Sequence, residues 1–366
     1  MGTGRKKTRV LPWLLLVFVF VFALCIRTGT EELISPVQAF KNLWLWLRLT
    51  VADRFSLPLA LERQALIEGS PYFLETVARF RILVMTALCG AAIAAGGAVF
   101  QLIFRNPMAA PSMLGVTSGI DLGLLVLVLR YGSGAFLMTG QRYLYCMCFA
   151  FALLLLVILL GRLAGKNRVS VTDMLLIGGI LSQIIGAVIT FARYGMEQEE
   201  LEVFQTLSLY GFTANVSYEF AGRSLWILLA LVLVCMLPLV SMRFSLDALS
   251  LSDREARSLG VRPYAVRLVL IVTTTVMVVG ACLYCGTIGV LALAVPHIVR
   301  AVRGADFKSL LTGSILWGAL LLLISRAISS LVYLEGMGHF PIGTMTGLLT
   351  APLLAVILVQ NRRSWE

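Results

Sequence analysis

Residues 82–104 read ILVMTALCGAAIAAGGAVFQLIF, without one charged side chain. An α-helix rises about 1.5 Å per residue, so roughly 20 residues cross a hydrocarbon core of about 30 Å, and this stretch is long enough. Strands that cross a bilayer show segments of about ten residues with alternating polarity instead. This run does not alternate, and within lipid its backbone groups are satisfied only as a helix. Gly90, Gly96 and Gly97, set among alanines, give the helix a small-residue face that lets another backbone approach, a feature that general helix packing explains.

Uncharged stretches of similar length recur at 174–192, 224–242 and 336–361. Of the 366 residues, 59% are hydrophobic and only 13% charged, whereas soluble domains carry about 25% charged residues, so water is not the main solvent. The pattern predicts an all-α, multi-pass bundle with about ten spans in a single domain over 1–366. The expected spans are 10–26, 82–104, 113–129, 143–161, 174–192, 224–242, 268–285, 287–299, 310–334 and 342–360. Arg5, Lys6, Lys7 and Arg9 before an apolar run resemble a signal peptide, but no small-residue cleavage site follows, so the run is read as a retained first span.

The net charge of +11 does not form a basic groove with interleaved aromatics, so no nucleic-acid partner is expected. Lys and Arg collect instead in every second connector: the start of the chain, Arg105, Arg162/Lys166/Arg168, Arg243/Arg254/Arg257/Arg262, Arg300/Arg303/Lys308 and Arg362/Arg363. The positive-inside rule places these connectors and both termini in the cytoplasm, in an inner or plasma membrane. Glutamates favour the other side, in an external segment over 28–78 and again at Glu197, Glu199, Glu200 and Glu202. Residues 268–299 are uncharged yet flanked by arginines, which predicts a hairpin turning at Cys285-Gly286. The aromatic residues of 28–78 fit a segment lying at the interface or an external loop. Residues 245–260, SLDALSLSDREARSLG, predict a cytoplasmic helix capped by Ser252 with Glu255 at the capping-box position and stopped by Gly260.

No catalytic, cofactor or metal site is expected. The nearest approach to a nucleotide loop, GRLAGKN at 161–167, has the wrong glycine spacing and Asn in place of Ser or Thr. Two histidines, His297 and His339, cannot build a hydrolytic triad, and Cys282 and Cys285 have no acidic or histidine partner nearby. The seven cysteines lie in or beside apolar runs, where a thiol acts as a small hydrophobe.

Four collinear segments carry a family resemblance: GAAIAAGGAVFQLIFRNPMAAPSMLGVTSGIDLG at 90–123, SLDALSLSDREARSLGV at 245–261, GTIGVLALAVPHIVRAVRGADFKSLL at 286–311 and PIGTMTGLLTAPLL at 341–354. Together they resemble the FecCD-type permeases, membrane subunits of ABC importers for iron-siderophores, haem and cobalamin. The resemblance implies two cytoplasmic ABC ATPases carrying ATP and magnesium, an external substrate-binding protein, and a second copy or a sister permease with the path at the interface. It implies that 247–260 docks on an ATPase. Leu249, Leu251, Ala256 and Leu259 would pack there, and Asp247, Ser252, Asp253, Arg254, Glu255, Arg257 and Gly260 would shape the contact.

Arg105-Asn106-Pro107 is expected to end a span structurally, with Pro107 stopping the helix, Asn106 bonding freed backbone groups and Arg105 anchored to headgroups. Pro296, His297 and Arg300 are expected to end the eighth span in the same way. Arg79 and Arg81 either meet the binding protein or anchor to lipid phosphates. Where the family has an Asp and an Arg late in the ninth span, Ser325 and Ser329 stand here, His339 replaces an expected Glu, and Arg326 is the remaining basic candidate for docking. Asp121, a carboxylate within an apolar span, marks a pathway or a hydrogen-bonded helix contact with Ser118 or Thr117. Ser182, Gln183, Thr190 and Gln205 are further pathway candidates. A secondary transporter coupled to ions or protons is the alternative, but it needs several intramembrane charges, and only Asp121 and Arg326 qualify. A non-transporting assembly subunit is a second alternative, and it predicts no ATPase partner.

Overall fold

The computed structural model describes residues 10–27, 34–55, 63–137, 139–164, 171–211, 218–250, 253–304, 306–331, 333–334 and 338–360. The helices are α1 (Val10–Arg27), α2 (Pro36–Phe55), α3 (Arg63–Glu68), α4 (Phe73–Ile103), α5 (Val116–Tyr131), α6 (Thr139–Ala164), α7 (Val171–Tyr194) and α8 (Gln198–Tyr210). They continue with α9 (Tyr218–Ser241), α10 (Arg243–Ser250), α11 (Asp253–Ser258), α12 (Pro263–Cys285), α13 (Leu291–Arg303), α14 (Phe307–Leu331) and α15 (Ile342–Gln360). One short antiparallel pairing joins Tyr333–Leu334 to Gly338–His339.

Among the described residues, α4, α5 together with the 3-10 helix that extends it to Phe136, α6, α7, α9, α12 and α14 are long and apolar enough to cross a membrane, and α1 and α15 contain shorter apolar helices. The turn at Gly286 stands where the charge pattern puts it, with φ of 79°. The returning arm differs from expectation. Instead of a span over 287–299 it is α13, 13 residues that begin at Leu291, about 20 Å long and too short to cross alone.

The bundle is built around α4, whose 31 residues start at Phe73 rather than Ile82. Helices α1, α2, α9, α10, α12, α13 and α14 pack on it. Its glycines are what permit this. A Cβ on Gly90 would lie 2.3 Å from the Gly318 carbonyl oxygen of α14, and one on Gly318 would lie 2.4 Å from the Gly90 oxygen. In α13, Pro296 has no N–H, so the carbonyl of Ala292 loses its helical donor. Gly97 packs directly on that freed oxygen, 1.8 Å from where its Cβ would stand.

Within the predicted external segment, α2 lies against α4 through Asn42, which donates to the Pro71 carbonyl (2.9 Å) and the Thr76 hydroxyl (3.0 Å). Its opposite face exposes Val37, Phe40, Trp44, Leu47 and Val51 at helical spacing. That amphipathic division suits an interface between lipid and water.

Candidate functional site

The basic end of α4 closes in a Schellman motif. Arg105 N–H reaches the Leu102 carbonyl (3.2 Å), Asn106 N–H reaches the Gln101 carbonyl (3.2 Å), and Arg105 takes the left-handed position at φ 49°. Glycine usually fills that position, because a Cβ there is strained. The Asn106 side chain accepts from the Met108 N–H (2.9 Å), a turn in the segment that follows rather than a bond to the carbonyls freed at the helix end.

The Arg105 side chain, still partly exposed, folds back onto α10 and α11. Its Nε donates to the Leu249 carbonyl on α10 (2.7 Å), and its Nη2 donates to Asp253 at the start of α11. Arg267 on α12 grips the same carboxylate as a fork, Nη1 to Oδ2 at 2.9 Å and Nη2 to Oδ1 at 2.7 Å. Paired charged hydrogen bonds of this kind fix orientation as well as adding energy. The Arg267 hydrogen bonds, and secondarily those from Arg105, hold the Asp253 carboxyl below the ordinary carboxylate range, against the opposing effect of partial burial.

These contacts redraw the expected ATPase-facing segment. Its described parts are helical, α10 up to Ser250 and α11 from Asp253. Asp253 is clamped within the chain, and Leu249 and Ala256 are fully buried against it instead of offered to a partner. Leu251 and Ser252, and hence the Ser252 cap, lie outside the described residues. Asp247, Arg254, Glu255, Arg257, Leu259 and Gly260 are exposed, together with Phe244, which sequence reasoning missed. The signal for Phe244 was available: it lies three residues before Asp247, one turn away on the same helix. Gly260 ends α11 in a second Schellman motif, with Val261 N–H to Ala256 carbonyl at 3.0 Å and Gly260 N–H to Arg257 carbonyl at 2.9 Å.

A second tie runs from α4 to α13. The Pro107 carbonyl only accepts, so the His297 Nε2 at 2.8 Å carries the proton. Arg300 donates to Gln101 Oε1 (2.6 Å), and Gln101 Nε2 donates to the Leu293 carbonyl (3.2 Å). Pro296, His297 and Arg300 therefore do not end a span. The helix continues through Pro296 to Arg303, and Gly304 at φ 98° stops it.

At the far end, Arg79 is not free for docking. It pairs with Glu75 and donates to the Ile26 carbonyl (3.2 Å), tying α4 to α1. Arg81 lies over the Trp46 ring of α2, 5.7 Å from its centroid. Arg326 is half-buried, Ser325 donates to the Leu321 carbonyl (2.8 Å), and Ser329 donates to the Phe340 carbonyl.

Of the pathway candidates, Gln183 and Thr190 lie on an exposed face of α7, whereas Ser182 and Gln205 are half-buried. That face reads Leu176, Gly179, Gln183, Gly186, Thr190 at alternating three- and four-residue steps, and Gly179 and Gly186 have open space beyond them. Asp121 is bonded neither to Ser118 nor to Thr117. Its Oδ1 accepts from Ser208 of α8 at 2.7 Å, and the same turn of α8 offers the Ser208 carbonyl to Thr287 N–H (3.0 Å) at the hairpin. Among the described residues, no group of three or more His, Cys, Asp or Glu is placed to hold a metal.

The model of the FecCD transport family matches residues 13–360. The vitamin B12 import system permease protein BtuC of Citrobacter koseri is 34% identical over 276 residues, 75% of this chain and 80% of that protein. The hemin transport system permease protein HmuU of Yersinia pestis is 26% identical over 360 residues, 97% of this chain and 98% of that one. A solved structure of a metal-chelate type ABC transporter in an inward-facing conformation superposes with a TM-score of 0.73 at 25% identity, covering 96% of this chain and 99% of the other.

Proposed function

The chain belongs to the FecCD transport family, and from that premise we propose that it is the permease subunit of an ABC importer carrying an iron chelate, haem or cobalamin into the cytoplasm. Two separate ATPases supply the ATP chemistry with magnesium, and an external binding protein delivers the cargo. The basic end of the bundle is the cytoplasmic one.

The observation that carries this reading is the Arg105–Asp253–Arg267 clamp. It fastens α11 at once to the central helix and to α12, so a force applied to α10 and α11 moves the core of the bundle. The exposed Phe244 and Leu259, with Asp247, Arg254 and Arg257 around them, form the face that meets the ATPase. Closure of two ATPases on ATP then tilts the two permeases as rigid bodies between inward and outward openings.

The open face of α7 supports a second permease copy or sister chain. On α15, Thr344, Leu348, Ala351 and Ala355 form a second exposed stripe of mostly small side chains. Small residues are what membrane helices use for close association, and the polar Gln183 and Thr190 on α7 suit a wetted path between subunits. The decisive test is uptake by vesicles holding this chain, its ATPase and its binding protein. ATP-dependent accumulation of cobalamin, haem or a ferric siderophore is expected, and equal accumulation without nucleotide overturns the proposal.

A further inference from the structure

Between α4, α6, α7 and α12 at the basic end lies a cavity of about 350 Å³. Its walls are apolar: Ile103, Phe104, Ile158, Met174, Leu268 and Ile271. Three guanidinium groups line it, from Arg105, Arg162 and Arg267, and the one carboxylate among its lining residues is Asp253. Two of the three arginines share that carboxylate, while Arg162 has Tyr264 as its partner, donating to the hydroxyl and lying 5.4 Å from the ring centroid. The lining therefore carries two positive charges more than negative ones.

The rim of the cavity identifies the medium that reaches it. Tyr264 and Leu268, which line it, are themselves exposed, and Leu159 and Leu163 next to the lining residues Ile158 and Arg162 on α6 are exposed too, so apolar surface that suits acyl chains lies beside the opening. A freely soluble anion is matched by the arginines but not by these walls. A phospholipid satisfies both, with its phosphate among the guanidiniums and a chain along Ile158, Leu268 and Ile271. Basic pockets between spans on the cytoplasmic side are recognised sites for anionic headgroups.

We infer that this cavity binds one anionic phospholipid from the leaflet at the basic end, its phosphate accepting from Arg162 and balancing the excess positive charge of the lining. Two of the arginines that line it also hold Asp253, so the lipid is a structural ligand of the α11 anchor. The link to transport rests on the proposed function, whereas binding itself does not.

The test is native mass spectrometry of the full chain titrated with phosphatidylglycerol or phosphatidylcholine. One phosphatidylglycerol is expected to be retained in preference to phosphatidylcholine, and Arg162→Gln lowers that preference about fivefold, as removal of one basic contact near a membrane does. Leu268→Trp, which fills the cavity and leaves every charge, lowers it too, and both variants are checked for monodisperse elution. Because the two act through charge and through volume, misfolding of one leaves the other to decide. Inorganic phosphate in large excess is expected to displace nothing. Equal retention of the two lipids by the unaltered chain, unchanged preference in a folded variant, or competition by inorganic phosphate each overturns the proposal. Should phosphatidylglycerol bind as expected while no vesicle accumulates cargo, the transport reading fails and the lipid site stands.

Discussion

Helices α4 and α7 are both apolar, both rich in glycine and both long enough to cross the bilayer, yet 72% of the most apolar window of α4 is buried against 17% for α7. In α4 the glycines touch backbone: Gly90 meets Gly318, and Gly97 meets Ala292. In α7, Gly178 meets the Met113 carbonyl on the inner side, while Gly179 and Gly186 face nothing. A glycine facing another backbone builds the fold of its own chain. One facing outward, beside Gln183 and Thr190, contributes nothing to that packing and leaves room for the second permease proposed above.

The contrast breaks first at Gly97. Gly97→Val puts a branched side chain into the Ala292 carbonyl, which cannot withdraw as a flexible side chain would. Overpacking ordinarily costs about 1–3 kcal/mol, and a backbone obstacle belongs at or above the top of that range, so loss of the monodisperse peak in size exclusion is expected. A wild-type melting temperature would remove Gly97 from the packing of the core.

Gly186→Trp on α7 is the matched opposite. The isolated chain is expected to melt within about 0.5 kcal/mol of wild type, as surface changes do, while self-association and ATP-driven uptake fall more than tenfold. Retained uptake in this variant would show that the exposed face of α7 is not between subunits.

Asp253→Asn tests the clamp that links the core to α11. The side chain is 43% exposed, so solvent screening keeps the expected loss of anchoring to about 1 kcal/mol. Uptake falls about fivefold at that cost while ATP hydrolysis continues, and equal losses in both would mean that the clamp does not transmit force. The depressed carboxyl also fixes a sign. The stabilisation is complete above the ordinary value of 3.8 and is lost as pH falls below it, so anchoring does not change between pH 6 and 8. A pH-dependent loss of uptake in that window must arise from another group.

The smallest effect separates backbone from side chain at Arg105. Both Arg105→Ala and Arg105→Gly remove the bonds to Leu249 and Asp253, but only glycine relieves the left-handed position, so the glycine variant is expected to be about 1 kcal/mol more stable in thermal melts. Equal stability would mean that the φ of 49° costs nothing.

The two Schellman ends show how far sequence reading reached. At Gly260 the stop was legible, because glycine is the residue that adopts a positive φ without strain. At Arg105 the same motif was hidden, since nothing local favours arginine there and its reward comes from Leu249 and Asp253, far along the chain. Likewise Pro296 was read as a terminator, because a proline usually breaks a helix, whereas here the helix runs on and the freed Ala292 carbonyl becomes the surface on which Gly97 packs.

Composition and charge pattern by themselves determined that lipid is the solvent, that helices are the only solution and which end is basic. They did not determine which face of a helix turns inward, so Leu249 and Ala256, which the fold buries, and Asp253 and Arg79, which it engages within the chain, were offered to partners. The reason is physical. In water a buried face differs from an exposed one in polarity, but lipid tails are as apolar as a protein interior, so the facing of a membrane helix is decided by close packing and hydrogen bonding that exist only once the chain has folded.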